Sequence, residues 1–348
     1  MSKYIPFRTR RDTFSFFLDK KSLLYTTVFT GITFCLILLS LSLGEVFISP
    51  LEVVSSFFGK GEGGNAYIVE ILRLPRILVS LFVGVGLAVS GAILQGMIRN
   101  PLASPDILGI TSGGSLAVVL FLTIFSDSND ALTVSIQWQP LAAFVGAVAV
   151  GFIVYLFSLK GGTSPIRIVL IGIGLATLLD ALTRLFMILG PIYRAADANL
   201  WLTGSVYATN WQEVKIIVPI ITILVALSLL IARRINIQEL GEELASGAGS
   251  SVQRDRVLFI IVSTALAGAS VSVAGGVGFV GLMAPHIARR LVGSSYGALI
   301  PLSALIGGII VIGADLMGRT LFLPLEVPAG VFTATIGAPY FIYLLFKK

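Results

Sequence analysis

The sequence predicts an all-α polytopic membrane protein with about ten transmembrane helices. Hydrophobic residues make up 56% of the 348-residue chain and charged residues only 12%, which is roughly half the charged fraction of an ordinary soluble domain. The polar interruptions are spaced so that they leave apolar runs of about 20 residues, the length of a helix that crosses a bilayer. We therefore treat residues 1–348 as a single transmembrane domain.

Polar or glycine-rich segments separate the predicted spans. The first apolar run is long and follows a polar and aromatic N-terminal segment, so it is interpreted as a retained span and not as a cleaved signal peptide. The eighth span is short and glycine-rich, and merging it with the seventh would make the count odd. The ten predicted spans are residues 22–43, 76–97, 107–126, 139–159, 166–190, 213–233, 255–275, 276–292, 296–314 and 328–346.

Basic residues predict the orientation of the chain. The N-terminal segment 1–21 carries six lysines and arginines, and the chain ends in Lys347-Lys348. Cytoplasmic segments carry an excess of Lys and Arg, so both termini are expected in the cytoplasm and the number of spans should be even. Four arginines fall on the predicted outer face against this rule and need another explanation: Arg73, Arg76, Arg194 and Arg319.

Residues that support catalysis or metal binding are scarce. The chain has one cysteine, Cys35, and one histidine, His286, which excludes a disulfide framework and a metal site built from several Cys or His residues. Neither the phosphate-binding motif GxxxxGK(S/T) nor the zinc motif HExxH occurs, and no nucleophile–base pair can be assembled. We expect this chain to be no enzyme and to hold no metal or cofactor of its own.

Two charges lie inside the fifth predicted span. Asp180 and Arg184 are four residues apart, so they share one face of a helix and could form an ion pair. Charges at membrane depth usually face a bundle interior or a water-filled cavity. Two interpretations therefore stay open, a self-neutralised pair inside the bundle and a polar lining of a substrate path.

A set of short motifs follows the chain from the second span to the last. Together these motifs resemble those of the permease subunits of ferric siderophore and cobalamin ABC importers, the FecCD type. They are Arg73–Arg76 (RLPR), Ser90–Gly96 (SGAILQG), Arg99–Gly109 (RNPLASPDILG), Trp201–Ser205 (WLTGS), Phe279–Arg289 (FVGLMAPHIAR), Gly313–Asp315 (GAD) followed by Arg319, and Glu326–Gly330 (EVPAG) followed by Gly337–Pro339 (GAP).

The resemblance implies an assembly around this chain. It implies that residues 1–348 form one permease domain with ten spans, which pairs with a second permease subunit, identical or paralogous. It also implies two ATPase subunits on the cytoplasmic face, an extracytoplasmic substrate-binding protein, and a location in the bacterial plasma membrane. ATP and Mg²⁺ would then be bound by the ATPase, and iron would travel as a chelate.

The resemblance also assigns roles to particular residues. It implies that Arg73, Arg76 and Arg319 meet acidic residues of the binding protein, through guanidinium–carboxylate pairs that are geometrically specific. Thr163 and Ser164, in the loop before the fifth span, would line a cytoplasmic gate. The cytoplasmic segment 234–254 would couple to the ATPase through Glu239, Leu240, Gly241, Glu242, Glu243, Ala245 and Gly247.

The expected function is that of a permease subunit in an ATP-driven importer of a ferric siderophore, in which hydrolysis takes place on a separate subunit. Two alternatives remain. Within the same class, the cargo would be cobalamin or haem. From a different class, the chain would be a secondary carrier driven by an ion gradient, which would work without an ATPase.

Overall fold

The computed structural model describes residues 4–8, 15–57, 63–127, 131–158, 165–190 and 192–346. Two strands, β1 Tyr4–Arg8 and β2 Ser15–Asp19, precede the helices, a π-helical turn occupies Ile68–Arg73, and a 3₁₀ turn occupies Ile136–Trp138. The α-helices are α1 Lys20–Ser42, α2 Pro50–Phe57, α3 Gly63–Tyr67, α4 Leu74–Ile98, α5 Ile110–Ile124, α6 Gln139–Ser158, α7 Pro165–Leu189, α8 Ile192–Leu202, α9 Trp211–Glu239, α10 Glu242–Gly247, α11 Val252–Ala274, α12 Val280–Val292, α13 Tyr296–Thr320 and α14 Ala329–Phe346.

Every predicted span corresponds to one helix, so the predicted fold class is confirmed. In the described part of the chain, seven helices are long and apolar enough to cross a membrane by themselves, and α5 and α14 are shorter apolar helices. The seventh and eighth predicted spans are separate helices. Gly275, at φ 68°, and Phe279, at φ 67°, both leave the right-handed helical region between α11 and α12.

Helix α4 lies at the centre of the bundle and packs against α9, α11, α12 and α13. A stripe of small residues on α4 allows its closest approach to α13. A side chain at Gly84 would run into the backbone of Gly307, and a side chain at Gly307 would run into the backbone of Gly84. Small residues at such positions let helix backbones approach closely in lipid, where packing takes the place of the hydrophobic effect.

Helix α1 lies at the edge of the bundle and differs from α4 in how it packs. Its buried residues are Thr33, Ser40, Leu41 and Ser42, so burial is concentrated at its C-terminal end. Much of the rest of its apolar surface is exposed in the isolated chain, including Leu24 and Phe34. Helix α1 is therefore held mainly by one end, which lies on the predicted outer face.

The N-terminal segment departs from the all-α prediction. Strands β1 and β2 pair in antiparallel fashion, with Tyr4 opposite Asp19 and Arg8 opposite Ser15. The sequence predicts only a basic cytoplasmic tail here. The pairing is local, because β1 and β2 form a two-stranded sheet of their own.

Candidate functional site

The first candidate site is the outer end of α1, where Arg73 lies. The Arg73 guanidinium donates to the carbonyl oxygens of Leu41 at 2.6 Å, Ser42 at 3.2 Å and Val46 at 2.5 Å. The last carbonyls of a helix have no partners within it, and a cation is favourable at that negative end of the helix dipole. Arg73, only 8% exposed, therefore caps α1.

Arg319 reaches the same helix end from α13. One terminal nitrogen donates to the carbonyl oxygen of Leu43 at 2.9 Å, and the other contacts the carbonyl oxygen of Ser40 and donates to its hydroxyl at 2.6 Å. The Arg319 side chain is buried, and its Nε lies 3.8 Å from Asp315. Two arginines that break the positive-inside rule therefore complete the C-terminus of α1.

Arg76 has a different environment from the other two outer arginines. Its Nε and Nη2 donate to Asp315 at 2.9 and 2.8 Å, and its Nη1 donates to Glu326 at 2.9 Å. Its guanidinium also lies over the ring of Tyr207, 5.7 Å from the centroid. Asp315 is 2% exposed and Glu326 is 36% exposed, so one edge of the guanidinium faces the interior and the other faces the surface.

The second candidate site is a cleft of about 710 Å³ between α5, α7 and the break before α12. Asp180 and Arg184 both line it, together with Ser112, Ser115 and Asn199. Within the described residues, Asp180 and Arg184 form no ion pair with each other or with another side chain. Both residues therefore line a cleft without neutralising each other, and their part in a substrate path stays a prediction.

Asp106, which the sequence analysis did not single out, also lines the cleft. It lies in the segment that links α4 to α5 and accepts a hydrogen bond from the Thr111 hydroxyl at 2.7 Å. Burial raises the pKa of the Asp106 carboxyl, although hydrogen bonds from Thr111 and from the backbone of Phe279 oppose the shift. Its signal in the sequence was an acid inside the RNPLASPDILG motif.

The third candidate site is the predicted coupling segment. Helix α9 continues through Glu239, a turn follows at Leu240 and at Gly241 with φ 109°, and α10 begins at Glu242. Ala245 is fully buried, whereas Leu240 and Leu244 are 62% and 63% exposed. Helix α10 therefore packs against the bundle through Ala245, and its Leu244 side chain is exposed.

Ion pairs fix α10 and the end of α9 to the neighbouring helices. Glu242 pairs with Arg256 of α11. Glu239 accepts from Arg289 of α12 at 2.8 Å, and the Tyr296 hydroxyl of α13 accepts from Arg289 at 2.8 Å. Glu242 thus connects α10 to α11, and Glu239, at the end of α9, connects that helix to α12 and α13. Glu243 and Gly247 are exposed.

Two predicted gate residues, Thr163 and Ser164, lie outside the described residues, so their role stays a prediction. Glu326, Tyr207 and Arg289 belong to the polar clusters but were not predicted as site residues. Glu326 and Arg289 each belong to a motif quoted above, but their partners lie far away in the sequence. Nothing in the local pattern indicates those partners.

Taken together, the bundle of apolar helices, the arginine cluster at the end of α1, the polar cleft and the exposed helix α10 define a multi-pass membrane transport protein. Comparison with known proteins identifies the family. The model of the FecCD transport family matches residues 32–347. The chain therefore belongs to the FecCD transport family, and the family predicted from its motifs is confirmed.

Relatives and a solved structure support this membership. YfhA of Bacillus subtilis, assigned to siderophore transport as a permease, is 57% identical over 329 residues, which cover 94% of this chain and 96% of YfhA. The iron(3+)-hydroxamate import permease FhuG of the same species is 42% identical, and the match covers 91% of this chain and 96% of FhuG. An inward-facing structure described as a putative metal-chelate type ABC transporter superposes with a TM-score of 0.81 at 29% identity. The match covers 94% of this chain and 100% of that structure's chain.

Proposed function

We propose that this chain is the permease subunit of a bacterial inner-membrane ABC importer that moves a ferric siderophore inward. The observation that carries the proposal is the 57% identity, over 94% of the chain, to a protein assigned to siderophore transport. The cargo would cross as a preformed chelate. Among the described residues, no group of three or more His, Cys, Asp or Glu could hold a metal ion.

Energy would come from a separate ATPase that contacts α10. This proposal is supported by the exposed Leu244 and Glu243 on a short helix whose Ala245 is anchored in the bundle. The ion pair of Glu242 with Arg256 would transmit movement of α10 to α11. Glu239, at the end of α9 just before α10, would pass movement to α12 and α13 through Arg289 and Tyr296. ATP and Mg²⁺ would be bound by that partner.

The path for the cargo would include the cleft that Asp180 and Arg184 line, at the face where a second permease subunit would join. Exchanging the two residues tests this assignment. If they act separately on the path, the D180R/R184D double variant stays as defective in uptake as either single variant. If they act as an ion pair, the exchange restores uptake, and that result would contradict a lining role.

The outer face would receive an extracytoplasmic binding protein. The predicted docking residues Arg73, Arg76 and Arg319 all lie around the outer ends of α1, α4 and α13, which supports this location. A guanidinium can bind a carboxylate through two parallel hydrogen bonds. The cytoplasmic location of both termini and the gate at Thr163 and Ser164 remain parts of the same proposal.

Reconstitution tests the proposal as a whole. The chain is assembled with its ATPase in liposomes, the binding protein is added outside, and uptake of a radiolabelled ferric hydroxamate is followed with and without internal ATP and Mg²⁺. We expect uptake only when all partners and ATP are present. Uptake by the chain alone under an ion gradient would establish a secondary carrier. Uptake of cobalamin or haem in place of the ferric hydroxamate would reassign the cargo.

A further inference from the structure

The three outer arginines are not equally available to a partner. Arg73 and Arg319 are 8% and 6% exposed, and each donates hydrogen bonds to the end of α1. To meet an acidic partner, either would have to uncover carbonyl groups of a helix terminus, and unpaired buried carbonyls are costly. These two arginines act as positioning residues, and Arg76 is the one whose outer edge reaches the surface.

The two carboxylates on Arg76 differ in how firmly they are held. Asp315 is 2% exposed and receives hydrogen bonds from both Nε and Nη2. Glu326 is 36% exposed, receives one hydrogen bond from Nη1, and belongs to the exposed segment 321–326 that follows α13. An exposed ion pair contributes little, typically about 0.2–1 kcal/mol.

We propose that Glu326 occupies the position that an acidic side chain of the binding protein takes when it docks, so that docking exchanges one carboxylate for another at Nη1 of Arg76. This inference rests on the proposed docking function and adds the residue that regulates it. Asp315 keeps the guanidinium oriented during the exchange. The Tyr207 ring, 57% exposed, covers one face of the guanidinium, so the incoming carboxylate approaches along its outer edge.

The exchange has two measurable consequences. In the wild type, docking breaks the Arg76–Glu326 ion pair and forms a new one with the partner, so the number of ion pairs changes little. The binding affinity is therefore lower than it would be if Glu326 did not occupy Nη1 of Arg76. In E326Q the outer edge of Arg76 is free of a competing charge. We expect E326Q to bind the partner about two- to fivefold more tightly, the fold-change that corresponds to one exposed ion pair, and with a steeper loss of affinity as salt rises.

Removing any acid from this face would favour an acidic partner, so a matched control is needed. Glu45 follows α1 on the same face, is exposed, and has no hydrogen bond or ion pair within the described residues. E45Q makes the same charge change without touching Arg76. The affinity gain specific to the exchange is therefore the difference between E326Q and E45Q.

The experiment measures association of the assembled permease–ATPase complex, in nanodiscs, with its extracytoplasmic binding protein, over a range of salt concentrations. A gain in E326Q that exceeds the gain in E45Q, lost again in the R76Q/E326Q double variant, supports the inference. Equal behaviour of E326Q and E45Q overturns it, although the docking function stands if the wild type binds. If the wild-type complex does not bind at all, the docking function itself fails and the inference falls with it.

Discussion

Replacing Arg319 by alanine tests whether the outer arginines hold the fold together. The change removes hydrogen bonds to the Leu43 carbonyl, the Ser40 carbonyl and the Ser40 hydroxyl. It also takes away the second cation beside Asp315, at 3.8 Å. Hydrogen bonds to charged groups contribute about 1.5–3 kcal/mol each. Water can reach Leu43, which is exposed at the end of α1, so the full sum is not lost.

We expect R319A to lower the free energy of unfolding by about 3–5 kcal/mol, because the hydrogen bonds to Leu43 and Ser40 are lost whereas Asp315 keeps its pair with Arg76. R319K keeps the charge but not the forked donors, so it should recover only part of the stability. The assay is thermal unfolding of the purified complex in nanodiscs, followed by intrinsic fluorescence, without any binding protein present.

The absence of the binding protein makes this assay decisive. A docking residue has no partner under these conditions, so its removal would leave the unfolding transition unchanged. If R319A unfolds like the wild type but fails in uptake, Arg319 acts in docking and its assignment as a cap of α1 is wrong. If R319A unfolds at a lower temperature, its loss of uptake cannot be read as a loss of docking contact.

Two further predictions address the packing of the bundle and the orientation of α10. A methyl group at Gly307 would run into the backbone of α4, so G307A should destabilise the protein by about 1–3 kcal/mol. G313A, on the same helix and with open space around it, should have little effect in the same thermal assay, and equal effects would refute the packing. In a chain whose exposed Cys35 is replaced by serine, cysteine at Glu243 should crosslink to the ATPase, whereas cysteine at the buried Ala245 should not.

The sequence was sufficient to locate the spanning helices. A segment in lipid must satisfy its own backbone hydrogen bonds, so each long apolar run has to be helical. It was less informative about where helices end. Helix α9 was predicted over 213–233 but runs through Glu239, and its 29 residues are about 44 Å long. Hydropathy reports the part of a helix that lies in lipid, and the same backbone hydrogen bonds continue into water.

The sequence was sufficient to identify most of the candidate site residues, but it did not indicate which residues they contact. The outer arginines stood out because they break a topological rule, yet their partners depend on tertiary packing. Arg319, for example, bonds Leu43, 276 residues away in the sequence. The spacing of Asp180 and Arg184 predicts only that they share a helix face, and whether they pair depends on what surrounds that face. The pairing of β1 with β2 was missed because both strands are short and lie in a charged segment.

The capping of α1 by two distant arginines has a consequence for how the chain is made. Helix α1 is synthesised first, but the groups that complete its outer end belong to α13 and to the turn before α4. During synthesis, the carbonyls of Ser40 and Leu43 cannot accept hydrogen bonds from Arg319 until about nine-tenths of the chain has been translated. In a chain that ends before α13, these carbonyls lack their hydrogen bonds from Arg319. The end of α1 is therefore completed only after α13 has been synthesised and packed.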